Sequence, residues 1–309
     1  IDLDNRTSGA IAITESDGAT ITNITQATDT DATDITITST TGNLEIETIT
    51  TGGVDSDVSI TATAGAITDA NTNSSITADD LTLSAATGIG TITTNRINTF
   101  ADTIDGVTLS SVTTADGSIE ILTGGATVAT TITAADNGAD ENIDVTLSAS
   151  SGDITVGAIT ADRNVTLTAT TGSIVDSADD GTADITTNTT GLVTLTAQGD
   201  INGPGPGDDY LDLDLAAAGA ITVTDVAATG GTVRIHSTAA GDILLGEDDT
   251  NNGGSVGGII TDDTGANAVV IINDDGSILD ADTVEADGLT ATGVATTDIY
   301  NIQTGAGAT

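Results

Sequence analysis

Short runs in which an aliphatic residue alternates with a polar one recur along the whole chain: Ile35-Thr-Ile-Thr, Leu44-Glu-Ile-Glu, Val58-Ser-Ile-Thr, Leu81-Thr-Leu-Ser, Val107-Thr-Leu-Ser, Val145-Thr-Leu-Ser, Leu211-Asp-Leu-Asp and Ile221-Thr-Val-Thr. A period of two marks strands with one face buried and one in solvent. No stretch sustains a helical period. Between the runs lie Gly, Asp, Asn and Ser, which accept left-handed backbone or close turns with their side chains.

A second regularity lies over the first. Gly followed by any residue and then Ile or Leu occurs at Gly9, Gly42, Gly65, Gly117, Gly152, Gly172, Gly199, Gly219, Gly241 and Gly276. Repeats of this kind belong to solenoids. The interval is 23 residues from Gly42 to Gly65, and 20 from Gly152 to Gly172 and from Gly199 to Gly219. We read 20–23 residues as one short coil. Longer intervals, 33 from Gly9 to Gly42 and 35 from Gly117 to Gly152 and from Gly241 to Gly276, place insertions at Thr28–Asp34, Asn137–Asn142 and Glu247–Gly258. In the coil from Gly152 to Thr171, Ile154, Val156, Ile159, Val165, Leu167 and Ala169 point inward on three short strands, with the intervening Thr outward. The expected fold is all-β, a right-handed parallel β-helix, as a single elongated domain over 1–309. Gly203-Pro-Gly-Pro-Gly reads as an excursion at a turn, because the pattern resumes at Leu211 unchanged.

The segments Gly152-Asp-Ile, Leu167-Thr-Ala-Thr-Thr-Gly-Ser-Ile and Leu195-Thr-Ala-Gln-Gly-Asp-Ile resemble the repeats of large secreted bacterial adhesins with filamentous-haemagglutinin-like β-helices. The resemblance extends over nearly the whole chain. It implies an extracellular or cell-surface protein used for attachment, cohesion or biofilm, with cell-surface glycans or other matrix components as partners.

Composition narrows this picture. Aromatic residues make up 1% of the chain, so a narrow core of stacked aliphatics fits better than a thick globular one. Asp and Glu number 47 against four Arg and no Lys, giving a formal net charge of −43. Nucleic acid and anionic lipid require cationic surface and are excluded as partners. A chain this acidic can be disordered, but the alternation and the mean hydropathy of +0.13 argue for a fold. The absence of Cys suits a large secreted bacterial protein, and the absence of Met implies a processed product or a piece of a longer one. No apolar run approaches the ~20 residues that span a bilayer, so membrane insertion is not expected.

Candidate chemistry is sparse. Asp208, Asp209, Asp212 and Asp214 form the best candidate for a hard cation such as calcium, since Asp212 and Asp214 share the outer face of one strand beside a loop carrying the other two. Arg234 and His236 share the outer face of Val233-Arg-Ile-His, where Arg234 is expected to pair with one of many nearby carboxylates. With one His, no Lys and few aromatic platforms, no catalytic site is expected. The alternatives are a carbohydrate-active β-helix enzyme, a polysaccharide lyase or hydrolase, and a Thr-array ice or surface binder; no single Thr-x-Thr register is expected on every coil. Asn5, Asn23, Asn73, Asn164 and Asn188 begin five glycan-acceptor triplets. Ile1-Asp-Leu-Asp and Asp298-Ile-Tyr-Asn-Ile-Gln alternate like strands, which leads to the expectation of end-to-end self-association into a filament.

Overall fold

The computed structural model describes residues 1–245 apart from 6–8, 27–33, 53–55, 72–73, 91–96, 102–106, 139–142, 179, 190, 203–209, 216–219, 226–232 and 239–242, and beyond these the strand backbones 259–260, 269–273, 278–280 and 300–304. The fold is an all-β parallel β-solenoid with about 24 residues per turn, and no helix occurs among the described residues. The chain comprises two compact units, Ile1–Ser151 and Gly152–Thr309.

In the first unit one ladder runs through Asp2–Asn5, Asn23–Gln26, Thr48–Thr50, Ser75–Ala78, Ile97–Ala101, Ile119–Thr123 and Val145–Ala149. A second runs through Ile11–Glu15, Ile35–Ser39, Val58–Ala62, Asp80–Ala85, Val107–Thr114 and Ile132–Ala134, and a third through Ala19–Ile21, Leu44–Ile46 and Ile67–Asp69. Like residues stack on like: Ile35 lies beside Val58 and Val58 beside Leu81, while Leu44 lies beside Ile67. The core is therefore a set of aliphatic columns with neighbours about 4.8 Å apart.

The second unit repeats the plan. One ladder contains Val165–Ala169, Leu192–Ala197, Ala220–Asp225, Ile243–Leu245 and Ile278–Asp280, and another Ile159–Ala161, Ile185–Thr187, Leu211–Asp214, Val233–Ser237, Val269–Asn273 and Tyr300–Thr304. In the coil from Gly152 to Thr171, the six residues expected inside are all buried, whereas Thr155, Thr160, Thr166 and Thr168 are half-exposed. A Cβ at Gly172 would lie 2.1 Å from the Gly152 carbonyl oxygen, so consecutive corners touch backbone to backbone and only glycine fits there.

Two glycine assignments are corrected by the register. Ala19 pairs with Leu44, which sets Gly42 opposite Asp17 at the corner beside Gly18, whereas Gly9 leads into Ile11, which pairs with Ile35. The interval from Gly9 to Gly42 is thus not one coil with an insertion. Nor are Gly199 and Gly219 one coil apart: Ile201 bridges Ile174, whereas Ile221 pairs with Val193 in a different ladder. Glycine marks more than one kind of corner at which backbones pack closely, as Gly172 against Gly152 and Gly191 against Arg163.

Candidate functional site

Polar side chains concentrate on the outer face of the second unit where three successive coils meet. Alternation along Val233–Ser237 buries Val233 and Ile235 and leaves Arg234 and His236 half-exposed on the other side. In the preceding coil Leu211 pairs with Ile235 and Asp212 with His236, which brings Tyr210 alongside Arg234. One coil earlier Ile185 pairs with Leu213, which sets Asp184 beside Asp212. Asp184, Asp212 and His236 therefore form a row across three coils.

Hydrogen bonds join the row. The Asp212 amide donates to Asp184 Oδ2 at 2.8 Å, and the Asp184 amide donates to the Asp212 carbonyl at 2.8 Å. His236 Nδ1 lies 2.6 Å from Asp212 Oδ1. With Asp212 as acceptor, Nδ1 carries the hydrogen and the ring orientation is fixed. Asp184 and Asp212 are both nearly fully buried, 3% and 5% exposed, so solvent cannot support a charge on each. Burial, followed by a side-chain hydrogen bond with Asp176 and the charges of Asp176 and Asp212, pushes the Asp184 carboxyl up to about 9, against the opposing pull of the Asp212 N–H. The raised value favours the neutral form of the Asp184 carboxyl at physiological pH.

Tyr210 sits at the end of this row. The Arg234 guanidinium carbon lies 4.7 Å from the centre of the Tyr210 ring, and the His236 ring meets Tyr210 edge-on at 6.2 Å with 65° between planes. Arg234 is therefore held by an aromatic face, not by the carboxylate expected from the sequence. Asn202 lies in the coil before Arg234. It adopts φ of 49°, unusual for a residue other than glycine, is buried, and accepts from the Asp176 amide at 3.1 Å through Oδ1, while its Nδ2 has no hydrogen-bond partner among the described residues.

The cluster owes its position to a change in the corner. Ile174–Asp176 and Ile185–Thr187 are separate strands, and Ile201 is likewise separated from Leu211–Asp214. In the next coil the single strand Val233–Ser237 spans both positions, with Val233 opposite Ile201 and Ile235 opposite Leu211.

Of the expected cation ligands, Asp208 and Asp209 lie outside the described residues. Asp214 is exposed on its strand, and Asp212 is covered and engaged by His236 and Asp184. Among the described residues no group of three or more acidic or His side chains is placed to hold a metal ion. Asp184, Asn202 and Tyr210 were not singled out from the sequence, because only the register reveals that they adjoin His236 and Arg234.

Two further arrays mark the first unit. The register places Asp34, Asp57 and Asp80 in a column just before the strands that start at Ile35, Val58 and Leu81. Partial burial, then the neighbouring charges of Asp80, Asp34 and Asp79, raise the Asp57 carboxyl above its ordinary value. Hydroxyls also line up: Thr14, Thr38, Thr61, Ser84, Thr113 and Thr133 are successive register partners. The other outward position of these strands holds Ala12, Thr36, Ser59 and Thr82, so a Thr-x-Thr pair does not recur on every coil.

No family model matches the chain, and no curated protein or solved structure matches it.

Proposed function

We propose that this protein is an extracellular or cell-surface structural solenoid used for attachment or cohesion, without catalysis, able to associate with further copies of itself. The observation that carries this reading is the coil-by-coil repetition of one outward chemistry. The hydroxyl column from Thr14 to Thr133 and the carboxylate column Asp34, Asp57 and Asp80 present the same group again about every 4.8 Å. Such a surface makes many weak, equivalent contacts whose combined strength comes from multiplicity. The resemblance to secreted adhesin repeats points in the same direction and supplies the extracellular location.

The test is attachment. Beads carrying the purified chain are expected to adhere to bacterial cells or matrix polysaccharide above the level of beads carrying an acidic protein of matched charge, and sedimentation is expected to show mass rising with concentration. Adhesion no better than the charge-matched control would remove the proposal.

One observation favours a second reading, an ice- or mineral-surface binder. The hydroxyl column is in register over six strands, and Thr166 and Thr168 lie opposite Thr194 and Thr196 in the second unit. Suppression of ice recrystallisation by the native chain, lost when Thr38, Thr61 and Thr113 are replaced by Glu, would favour it over attachment to cells.

A further inference from the structure

We propose that Asn137 is a site of self-modification, at which the chain converts its own asparagine into a mixture of aspartate and isoaspartate with Asp136 as the base.

Asn137 is followed by Gly138, and both residues stand exposed just beyond the strand Ile132–Ala134. An asparagine side chain can close onto the amide nitrogen of the next residue, because the product is an unstrained five-membered imide. A following glycine opposes this least, since it has no side chain to crowd the nitrogen. The surroundings of Gly138 are open as well. A Cβ placed on it would meet nothing within 4 Å among the described residues, and its φ of 117° is one that other residues rarely adopt. The Gly138 amide donates to Asp136 Oδ1 at 2.7 Å. A carboxylate thus sits at the hydrogen that must leave before the nitrogen attacks, which meets the geometric requirement for a general base.

The chemistry balances with water as the sole co-reactant. The Gly138 nitrogen gives its proton to Asp136 and bonds to Cγ of Asn137, and Nδ2 departs as ammonia, taking that proton with it. Water then opens the imide. Attack at Cγ gives aspartate, and attack at the main-chain carbonyl carbon gives isoaspartate with one more atom in the backbone. Either product adds a carboxylate to a chain that already carries 47 acidic residues. The flanking strands Ile132–Ala134 and Val145–Ala149 belong to different ladders, so the change falls between ladders and not within a register pair.

The structure separates this site from a second one with the same sequence. Asn202 also precedes a glycine, Gly203. It is only 5% exposed, and its Oδ1 accepts from the Asp176 amide at 3.1 Å. Turning that side chain onto the next nitrogen would break a buried hydrogen bond, and burial keeps water from the imide carbons. Asn202 is therefore protected where Asn137 is not.

The test is to age the folded full chain at neutral pH and body temperature in heavy-oxygen water and to map its peptides by mass spectrometry at intervals. Asn137 is expected to become a mixture of aspartate and isoaspartate carrying the heavy oxygen, about tenfold or more faster than Asn202. In chain held unfolded by denaturant the two sites should react at similar rates. Asp136→Ser keeps an acceptor for the Gly138 amide but no base, and conversion at Asn137 should slow about tenfold or more, with thermal melts confirming that the variant is folded. An Asn137 that stays intact in the folded chain while the unfolded chain reacts would overturn the proposal, and so would aspartate formed without isoaspartate, which excludes the imide. Conversion in Asp136→Ser at the parent rate or faster would remove Asp136 as the base.

Discussion

Asp184 shows what a single buried carboxyl does to this surface. Its folded-state pKa of about 9 lies far above the ordinary 3.8. Once the pH passes 3.8 the unfolded chain loses this proton while the folded chain keeps it. The stability contributed by this group is thus complete below 3.8 and declines as pH rises toward 9. Asp184→Asn retains an oxygen to accept from the Asp212 amide and has no proton to lose. The variant should melt higher than the parent, and the gap should widen between about pH 5 and about pH 8. Thermal melts across that range check the claim, and a constant gap would show that Asp184 is ionised in the fold. The same proton matters for the row, because an ionised Asp184 would set two negative charges side by side under His236. His236→Gln should leave Asp212 with a weaker partner and lower the stability, and with it the melting temperature, by the worth of one hydrogen bond, about 0.5–1.5 kcal/mol. A variant that melts like the parent would mean that the contact at 2.6 Å contributes nothing net.

At the scale of the element, alternation separates two classes of position on one strand. Leu167 is fully buried opposite Leu195, and Thr166 is half-exposed beside it. Leu167→Ala should cost about 2–5 kcal/mol through lost burial and a cavity, and Leu167→Asp more, because the charge would have no partner inside an aliphatic column. Thr166→Ala should stay within about 0.5 kcal/mol. Denaturant titrations of the three variants decide the matter, and similar losses at both positions would refute the inward and outward assignment. This level was legible in the sequence, since period two alone distinguishes Leu167 from Thr166. Which strand lies beside which was not. Gly199-Asp-Ile and Gly219-Ala-Ile carry the same signature, yet Ile201 and Ile221 belong to different ladders. The site escaped for the same reason. Asp184 meets Asp212, and Asp212 meets His236, across coils of different length, so no constant spacing joins them. Arg234 and His236 were visible as a pair on one face, but Tyr210 becomes their neighbour only through the register.

For the whole molecule, the dominant quantity is a formal net charge of −43 carried by stacked coils. Stacking sets like charges next to each other, as in the column Asp34, Asp57 and Asp80, where burial first and then repulsion from its neighbours raise the Asp57 carboxyl. Added salt should therefore raise the melting temperature by screening. Ca²⁺ at matched ionic strength should raise it further where carboxylates stand exposed, as Asp214 does, and not through Asp212, which His236 and Asp184 already hold. Melts in chelator, NaCl and CaCl₂ separate these effects, and identical curves in all three would contradict the electrostatic account. The outer surface, from the hydroxyl columns to the contacts of Arg234, depends on neighbouring coils standing in this register. The most direct test uses the absence of cysteine in the chain. Register partners in adjacent parallel strands are about 5 Å apart, within the range that a disulfide bridges. Under mild oxidation, a variant with Thr166→Cys and Thr194→Cys should form an intramolecular disulfide nearly quantitatively, and one with Thr166→Cys and Thr186→Cys should not, as Thr166 and Thr186 belong to different ladders. Equal cross-linking of the two pairs, or none in the first, would contradict the solenoid register on which the account stands.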